Sequence, residues 1–483
     1  MLYRPYGTTG KDVSLIGVGT VRFSPDKELF SENVDIVMKA LERGVNYFDT
    51  ASTYVSGLSE KILGTAFKQD NRKELFVSTK SMLSRDPTAD DVLRRIEAAL
   101  LTLNVDRIAF FHMWNVLNIE QYRKIIAPGG PYSGALRAKE QGLIDHICFS
   151  AHCDGREIVQ ILDDGLFDGV TLGYNAINYK YRLAGLQKAA EKGVGTAIMN
   201  PLSGGLIPRN PGYFKNLQIN GQPIAQSAIQ FVASHREVST ILVGVNSLRD
   251  LTEAIAAIEK RTSLSDSEWR DKAGAGIPFG EQETLCTMCG YCSGCPEGLR
   301  IDQIMGVYNN YVLSGGDVSS FNEQKEMFLK KNPIEEVQCQ QCGQCESKCT
   351  QHLPIIKRIA NINTIAKEEK DRLKALISKY FPADGYKKTG VYGLSFAAGD
   401  LFSAYMTLYG AIPDDIVFFD TKPAKWGTKV LNSGHKIHPP SSIKESGVER
   451  IIITAKKYEK EISEYLKDFI NEGTCIEVLS DNE

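Results

Sequence analysis

The sequence predicts an α/β chain built as an eight-stranded β/α barrel, then a short cysteine-rich helical module, then a small C-terminal α/β domain. Three observations carry this. From Val13 to about Arg261, β-rich runs alternate with amphipathic helical runs eight times, the count and roughly the ~250-residue size of a (β/α)8 TIM barrel. No glycine-rich dinucleotide turn follows the first strand, which argues against an open doubly wound sheet in this half. Eight of the 11 cysteines crowd into two short stretches beyond the barrel.

The barrel strands are read, in order, at SLIGVGT, VNYFDTA, LFVSTK, IAFFHMW, IDHICFSA, GVTLGYN, GTAIMN and TILVGV. Helical runs separate them, several closed by a glycine where a left-handed C-cap belongs (Gly44, Gly142, Gly165, Gly193). Ser31 is read as the N-cap of the first of these helices. Residues Leu2 to Lys11 are read as a hairpin plugging the barrel floor. The division is therefore barrel 1–262, polar linker 263–283, cysteine module 284–370 and C-terminal domain 371–483.

Composition narrows the class. Lys+Arg total 56 against 59 Asp+Glu in 483 residues, a formal charge of −3. That balance argues against a nucleic-acid partner. Apolar runs such as Ile451 to Ala455 are far too short to span a bilayer. The first fifteen residues carry no basic stretch followed by an apolar one, so no secretory signal is expected. Clustered cysteines in a reducing cytoplasm point to metal rather than disulfides, in an organism or niche poor in oxygen.

Catalytic side chains of such barrels come from the C-terminal ends of strands. Asp49, Tyr54, Lys80 and His112 all fall at or near such ends. They make chemical sense together. A Tyr hydroxyl titrates near ~10 on its own; a neighbouring Lys ammonium stabilises the phenolate and lowers that value. Asp49 would hold Lys80 charged and in place, and a neutral His112 would polarise a carbonyl oxygen. Each residue alone also suits a barrel-end salt bridge; the set of four points to a proton donor poised over a carbonyl that receives hydride.

The run Y-F-D-T-A-S-T-Y and the strands V-S-T-K and F-F-H resemble the Asp/Tyr/Lys/His tetrad of the aldo-keto reductases, over about residues 1–262. The resemblance implies an NADPH (or NADH) bound extended across the barrel mouth. It implies contacts from Gly19, Thr20, Ser150, Asn175, Leu202, Ser203 and Gly244. The chain departs from the family at Ala151, Thr171 and Met199, and G-V-N-S-L-R lacks the Lys-Ser pair that grips a 2′-phosphate. Arg249 is read as a solvated helix-start charge and His152 as polar loop filling. Trp114 and Phe23 are read as lining a pocket for an aldehyde, ketone or keto-sugar.

The first cysteine motif is Cys286-x2-Cys289-x2-Cys292-x2-Cys295-Pro296; the second is Cys339-x2-Cys342-x2-Cys345-x3-Cys349. Three cysteines at this spacing wrap one side of a cubane, and in two-cluster ferredoxins the fourth comes from the other motif. Cys286, Cys289, Cys292 and Cys349 are thus expected on one [4Fe–4S] cluster, and Cys339, Cys342, Cys345 and Cys295 on the other. A four-cysteine zinc site is the alternative. A barrel followed by this module resembles the aldo-keto reductases that carry a C-terminal 4Fe-4S ferredoxin-type domain. Cys148 and Cys153 are read as buried thiols and Cys475 as a core residue.

In the last domain, strand–helix alternation and the run G-V-Y-G-L-S-F-A-A-G-D suggest a Rossmann-like fold. Gly393 and Gly399 would be its turn glycines and Asp420 its ribose-binding carboxylate. The expectation overall is an NAD(P)H-dependent carbonyl reductase with two [4Fe–4S] clusters, possible partners being a small carbonyl substrate and an electron-carrier protein. The other reading is an iron–sulfur electron-transfer or redox-sensing protein using the barrel as a scaffold.

Overall fold

The computed structural model describes residues 1–69, 75–274, 285–330, 332, 334–381, 388–394, 396–431 and 433–479. They divide into two compact units. One comprises Met1–Asp302 with Cys342–Ile355, the other Gln303–Gln341 with Ile356–Glu483. The segment 284–370 is thus shared between the two units. Among the described residues no helix is long and apolar enough to cross a membrane.

The first unit opens with β1 (Tyr3–Pro5) antiparallel to β2 (Asp12–Ser14), the predicted hairpin. Eight parallel strands follow: β3 (Ile16–Gly19), β4 (Tyr47–Asp49), β5 (Phe76–Met82), β6 (Ile108–Val116), β7 (Ile144–Ala151), β8 (Gly169–Gly173), β9 (Gly195–Met199) and β10 (Thr240–Gly244). β10 pairs with β3 and closes the barrel. The strands are buried along nearly their whole length, as strands enclosed by helices must be. Gly44, Gly142, Gly165 and Gly193 all take the left-handed conformation that ends a helix.

The hairpin plugs the barrel through Tyr6, whose ring lies 4.2 Å from that of Phe110 and 5.9 Å from that of Tyr47. Its seat exists only because β8 and β9 begin with glycine. A Cβ on Gly195 would stand 2.1 Å from Tyr6 Cδ1, and one on Gly169 would stand 2.6 Å from Tyr6 Cε1. Gly195→Ala is therefore expected to destabilise the first unit by about 1–3 kcal/mol, the usual cost of overpacking a core. Urea unfolding checks this, and an unchanged midpoint would count against the plug.

Several details differ from the sequence reading. The first helix runs Phe30–Glu42 with Leu29 at its cap, so Ser31 lies inside it. β5 and β6 run past Lys80 and His112, because the residues after them keep parallel pairing to Met82 and Val116. A helix at Ile119–Ile126, capped by the Asn118 side chain, escaped the reading. So did one at Val318–Leu329. The linker carries a helix, Asp266–Gly274, anchored by buried Trp269; its remainder, 275–283, lies outside the described residues.

The second unit holds a five-stranded parallel sheet. β11 (Thr389–Tyr392), β12 (Ile416–Phe419), β13 (Ile437–His438), β14 (Arg450–Ile453) and β15 (Cys475–Val478) lie in the order β13-β12-β11-β14-β15. One face packs on the helices Ile355–Tyr380 and Phe396–Tyr409 through Ile377, Phe402 and Phe418. The other packs on Glu459–Leu466 through Leu466. Gly393 has φ +75° at the end of β11, but Gly399 lies within the helix Phe396–Tyr409 and is no turn glycine. The Asp420 carboxylate accepts hydrogen bonds from Lys425 Nζ (2.6 Å) and Lys422 N (2.9 Å), so it is already engaged at the position expected for ribose recognition. Cys475 is half-buried, short of a core position.

Candidate functional site

β4, β5 and β6 are neighbours in the barrel, and their register brings Asp49 opposite Ser78 and Lys80 opposite His112. The predicted set is therefore delivered to one mouth. Lys80 Nζ lies 2.6 Å from Asp49 Oδ1 and donates also to Thr50 O at 2.7 Å. Ser78 Oγ donates to the same Asp49 oxygen at 2.9 Å. Lys80 is almost wholly buried; burial lowers its pKa and the Asp49 carboxylate opposes that fall. A buried ammonium without its carboxylate would be strongly disfavoured.

Tyr54 stands over this pair. Lys80 Nζ lies 5.1 Å from the centre of its ring, and Trp114 packs edge-on against the ring at 5.6 Å. Trp114 is aimed there by a bulge, since the β6–β7 register shifts between Met113 and Val116. Val55 and Ser56, which follow Tyr54, both hold left-handed backbone (φ 54° and 53°). For a β-branched residue that conformation is strained, and such strain gathers at working sites. Tyr54 departs from one expectation. Burial, then the Asp49 charge, then Tyr291 push its phenol well above the ordinary range. Tyr54 is thereby held protonated, as a proton donor should be.

His112 is brought to the site, but both ring nitrogens are engaged. Ser78 Oγ lies 3.2 Å from Nδ1 and Thr171 Oγ1 lies 2.9 Å from Nε2. Burial, then Lys80, hold it well below the usual imidazole pKa, so it is neutral. A substrate oxygen would reach Nε2 only by displacing Thr171. In this arrangement His112 orients the site through Ser78 and Thr171, and does not present a free N–H.

The residues matched to cofactor contacts are divided. Thr20 Oγ1 donates to Asp49 O at 2.9 Å, and Asn175 is spent on its own turn and on Asn200 O. These two hold loops. Ser150, one residue before the end of β7, pairs with Thr171, and Gly19 pairs with Gly244 where β3 meets β10. Gly244 is exposed and Leu202 half-buried at the ends of β10 and β9. Gly19 and Ser203 are buried, and Ser203 N donates to Asn200 O at 3.0 Å. Arg249 is exposed and paired with Glu253 at 2.7 Å, as expected of a solvated charge. Phe23 is buried.

The sequence reading missed Tyr291 and gave His152 no role at the mouth. Tyr291, between Cys289 and Cys292, faces the ring of His152 at 5.8 Å. Burial, then Cys289, push the Tyr291 phenol up to about 12, against a hydrogen bond from Trp114. The loop carrying His152 is fixed by Asp154, which caps the helix Gly155–Asp163. Arg182 donates to the carbonyls of Ala151, His152 and Thr350, and His352 Nε2 lies 3.2 Å from His152 O. On the β9 side, a Cβ on Gly204 would stand 2.7 Å from Thr287 O. Residues around the cysteines therefore pack on the end of the barrel that carries Tyr54, Trp114 and His152.

None of the 11 cysteines, all among the described residues, is joined in a disulfide. Cys148 and Cys153 are buried in the barrel, as read. Burial pushes the Cys286 and Cys292 thiols up to about 12, and both Cys289 and Cys349 lie close enough to add to it. Met288 N donates to Cys286 Sγ (3.3 Å), Gln341 N to Cys339 Sγ (3.4 Å) and Leu353 N to Cys349 Sγ (3.5 Å). Met288 and Gln341 share left-handed backbone, each before a Cys-Gly pair. The two motifs thus start with one local geometry. Among the described residues no group of three or more His, Cys, Asp or Glu is set to hold a metal ion.

Comparison with known proteins agrees with the barrel. A family model described as "Aldo/keto reductase family" matches residues 15–274. L-galactose dehydrogenase of Arabidopsis thaliana is 27% identical over 289 residues, 54% of this chain and 89% of that protein. The uncharacterized oxidoreductase YrpG of Bacillus subtilis (strain 168) is 25% identical over 233 residues, 43% of this chain and 68% of that protein. Among solved structures, the holo form of aldo-keto reductase AKR11C1 from Bacillus halodurans aligns at TM-score 0.49 with 21% identity, covering 59% of this chain and all of that one.

Proposed function

The chain belongs to the aldo/keto reductase family, and from that premise we propose that it interconverts a carbonyl and an alcohol with NAD(P)H. It is an oxidoreductase by family. The observation that carries the finer reading is the buried Lys80–Asp49 pair beneath the half-buried ring of Tyr54. A bound nicotinamide would supply hydride to the carbonyl carbon; Gly19, Ser150, Leu202, Ser203 and Gly244 would hold it. Tyr54 gives its proton to the carbonyl oxygen as that oxygen gains charge. Lys80, kept charged by Asp49, steadies the phenolate left behind. Burial and Lys80 keep His112 neutral, and Ser78 and Thr171 fix its ring. Trp114 shields the donor from water on one side. The name of the Arabidopsis relative favours a sugar-like substrate.

The cysteines support a second part of the proposal, two [4Fe–4S] clusters of ferredoxin type. Two buried thiols, Cys286 and Cys292, lie near enough to Cys289 and Cys349 to feel their charge, and each motif offers backbone N–H groups to sulfur, as iron-bound thiolates accept. Cys286, Cys289, Cys292 and Cys349 would hold one cluster, and the remaining cysteines of the two motifs are the candidates for the other. The order of the second-unit sheet supports a Rossmann-like domain there. The engagement of Thr20, Asn175 and His112 favours an alternative, a barrel that serves only as scaffold for electron transfer or redox sensing.

One anaerobic preparation tests both parts. NADPH or NADH is oxidised in the presence of short aldehydes, and iron and acid-labile sulfide are found at about eight per chain, as two cubanes require. No aldehyde-dependent oxidation of either nicotinamide sinks the reductase reading and leaves the scaffold. Zinc without sulfide sinks the clusters.

A further inference from the structure

Two polar atoms at the mouth of the barrel are buried and have no hydrogen-bond partner among the described residues: His152 Nε2 and Asn115 Oδ1. Both residues are more than nine-tenths buried. They sit at the ends of neighbouring strands, since Val116 pairs with Ala151 and His152 N donates to Val116 O at 2.8 Å. Asn115 follows Trp114 on the bulge that brings the indole to Tyr54. It takes left-handed backbone (φ 63°), a conformation asparagine tolerates best among non-glycine residues. The His152 ring faces Tyr291, and Lys80 is near enough to act on its charge.

Leaving a buried polar atom unpaired costs the full desolvation of that group, and native folds rarely accept it without a reason. Here two such atoms belong to residues at the ends of neighbouring strands, β6 and β7, beside Trp114 and Tyr291. Neighbouring groups are engaged elsewhere: the His152 carbonyl by Arg182 and His352, and the Lys80 ammonium by Asp49 and Thr50.

We infer that His152 and Asn115 bind a hydroxyl group of the carbonyl substrate, with Tyr291 and Trp114 walling that subsite. The inference deepens the reductase reading and rests on it. A hydroxyl both donates and accepts, so it satisfies an amide oxygen and an imidazole nitrogen together. Burial, then Arg182, keep His152 neutral, with a pKa down to about 3, so its ring meets the hydroxyl without a charge. The substrate class is a hydroxylated aldehyde or ketone, and a deoxy analogue would leave both polar atoms unpaired.

The test uses the full-length, iron-replete protein with glyceraldehyde and propionaldehyde, each followed by nicotinamide oxidation. The expected result is a preference for glyceraldehyde in kcat/KM that falls about tenfold or more in His152→Leu, mainly through KM. Asn115→Gly, which suits the left-handed backbone, is expected to lower the same ratio and serves if His152→Leu does not fold. His152→Asn should restore part of the preference. An unmoved ratio in both variants overturns the inference while the reductase reading stands. Equal losses for both aldehydes with a raised KM for the nicotinamide also overturn it, by giving His152 to the cofactor. No turnover of either aldehyde by the unmodified protein overturns the reductase reading and this inference with it.

Discussion

Tyr54→Phe is expected to lower kcat for carbonyl reduction by about 10²- to 10⁴-fold, the usual worth of a positioned general acid. The substitution is conservative in everything but the proton. The phenyl ring still meets Trp114 at its edge and still covers Lys80 Nζ. The Asp49–Lys80 pair and its bonds to Ser78 and Thr50 do not involve the hydroxyl. KM and melting temperature should therefore move little while kcat collapses. Steady-state kinetics with any accepted aldehyde checks this. A variant that keeps a tenth or more of kcat would mean that another group supplies the proton. The raised phenol pKa adds a second expectation. Tyr54 stays protonated through the neutral range, so reduction should show no loss of rate attributable to it as pH climbs toward its ordinary value near ~10.

The barrel and its four central residues were legible because both are local in sequence. Period-two and period-3.6 patterns mark strands and helices, and strand ends mark the mouth. Asp49 and Tyr54 lie five residues apart, and Lys80 and His112 sit on consecutive strands. The rest depends on contacts that no local pattern encodes. Tyr291 reads as a spacer between two cysteines, yet it comes to face His152, 139 positions earlier in the chain. His152 reads as loop filling because its lack of a partner exists only once the fold is formed. The engagement of His112 follows from Thr171 on the second strand beyond it. At that position the sequence differs from its family, and the difference was visible; its geometric consequence was not. The linker was misread for a related reason. Asp266–Gly274 is too polar to announce a helix, and a single buried Trp269 anchors it.

The first unit should also lose stability steeply as pH falls from about 6.5 to 4.5, the range just below the ordinary imidazole pKa. Three of its histidines are buried and held neutral. Burial lowers His112 well below its usual range, His152 to about 3 and His235 to about 4. The sign follows from proton counting. Below about pH 6.5 the unfolded chain binds a proton at each site and the folded chain does not, so acid favours unfolding. Each group then costs about 1.4 kcal/mol per pH unit until its folded pKa is reached. Three together remove about 4 kcal/mol per unit, enough to exhaust a typical domain stability of 5–15 kcal/mol within a few units. Carboxylates do not share this window. Asp168, brought to about 2 by His146 and Lys139 against its burial, and Asp145, lowered by Arg107 and Lys11 against its own, give up their stabilisation only below the ordinary carboxylate range near ~4. Circular dichroism against pH should therefore show unfolding that begins above that range. His235→Gln isolates the cause, because glutamine can keep a bond to the Tyr174 hydroxyl, 2.9 Å from His235 Nε2, without titrating. Its acid slope should be shallower by about 1.4 kcal/mol per pH unit, and an unchanged slope would show that the buried imidazoles do not govern acid unfolding.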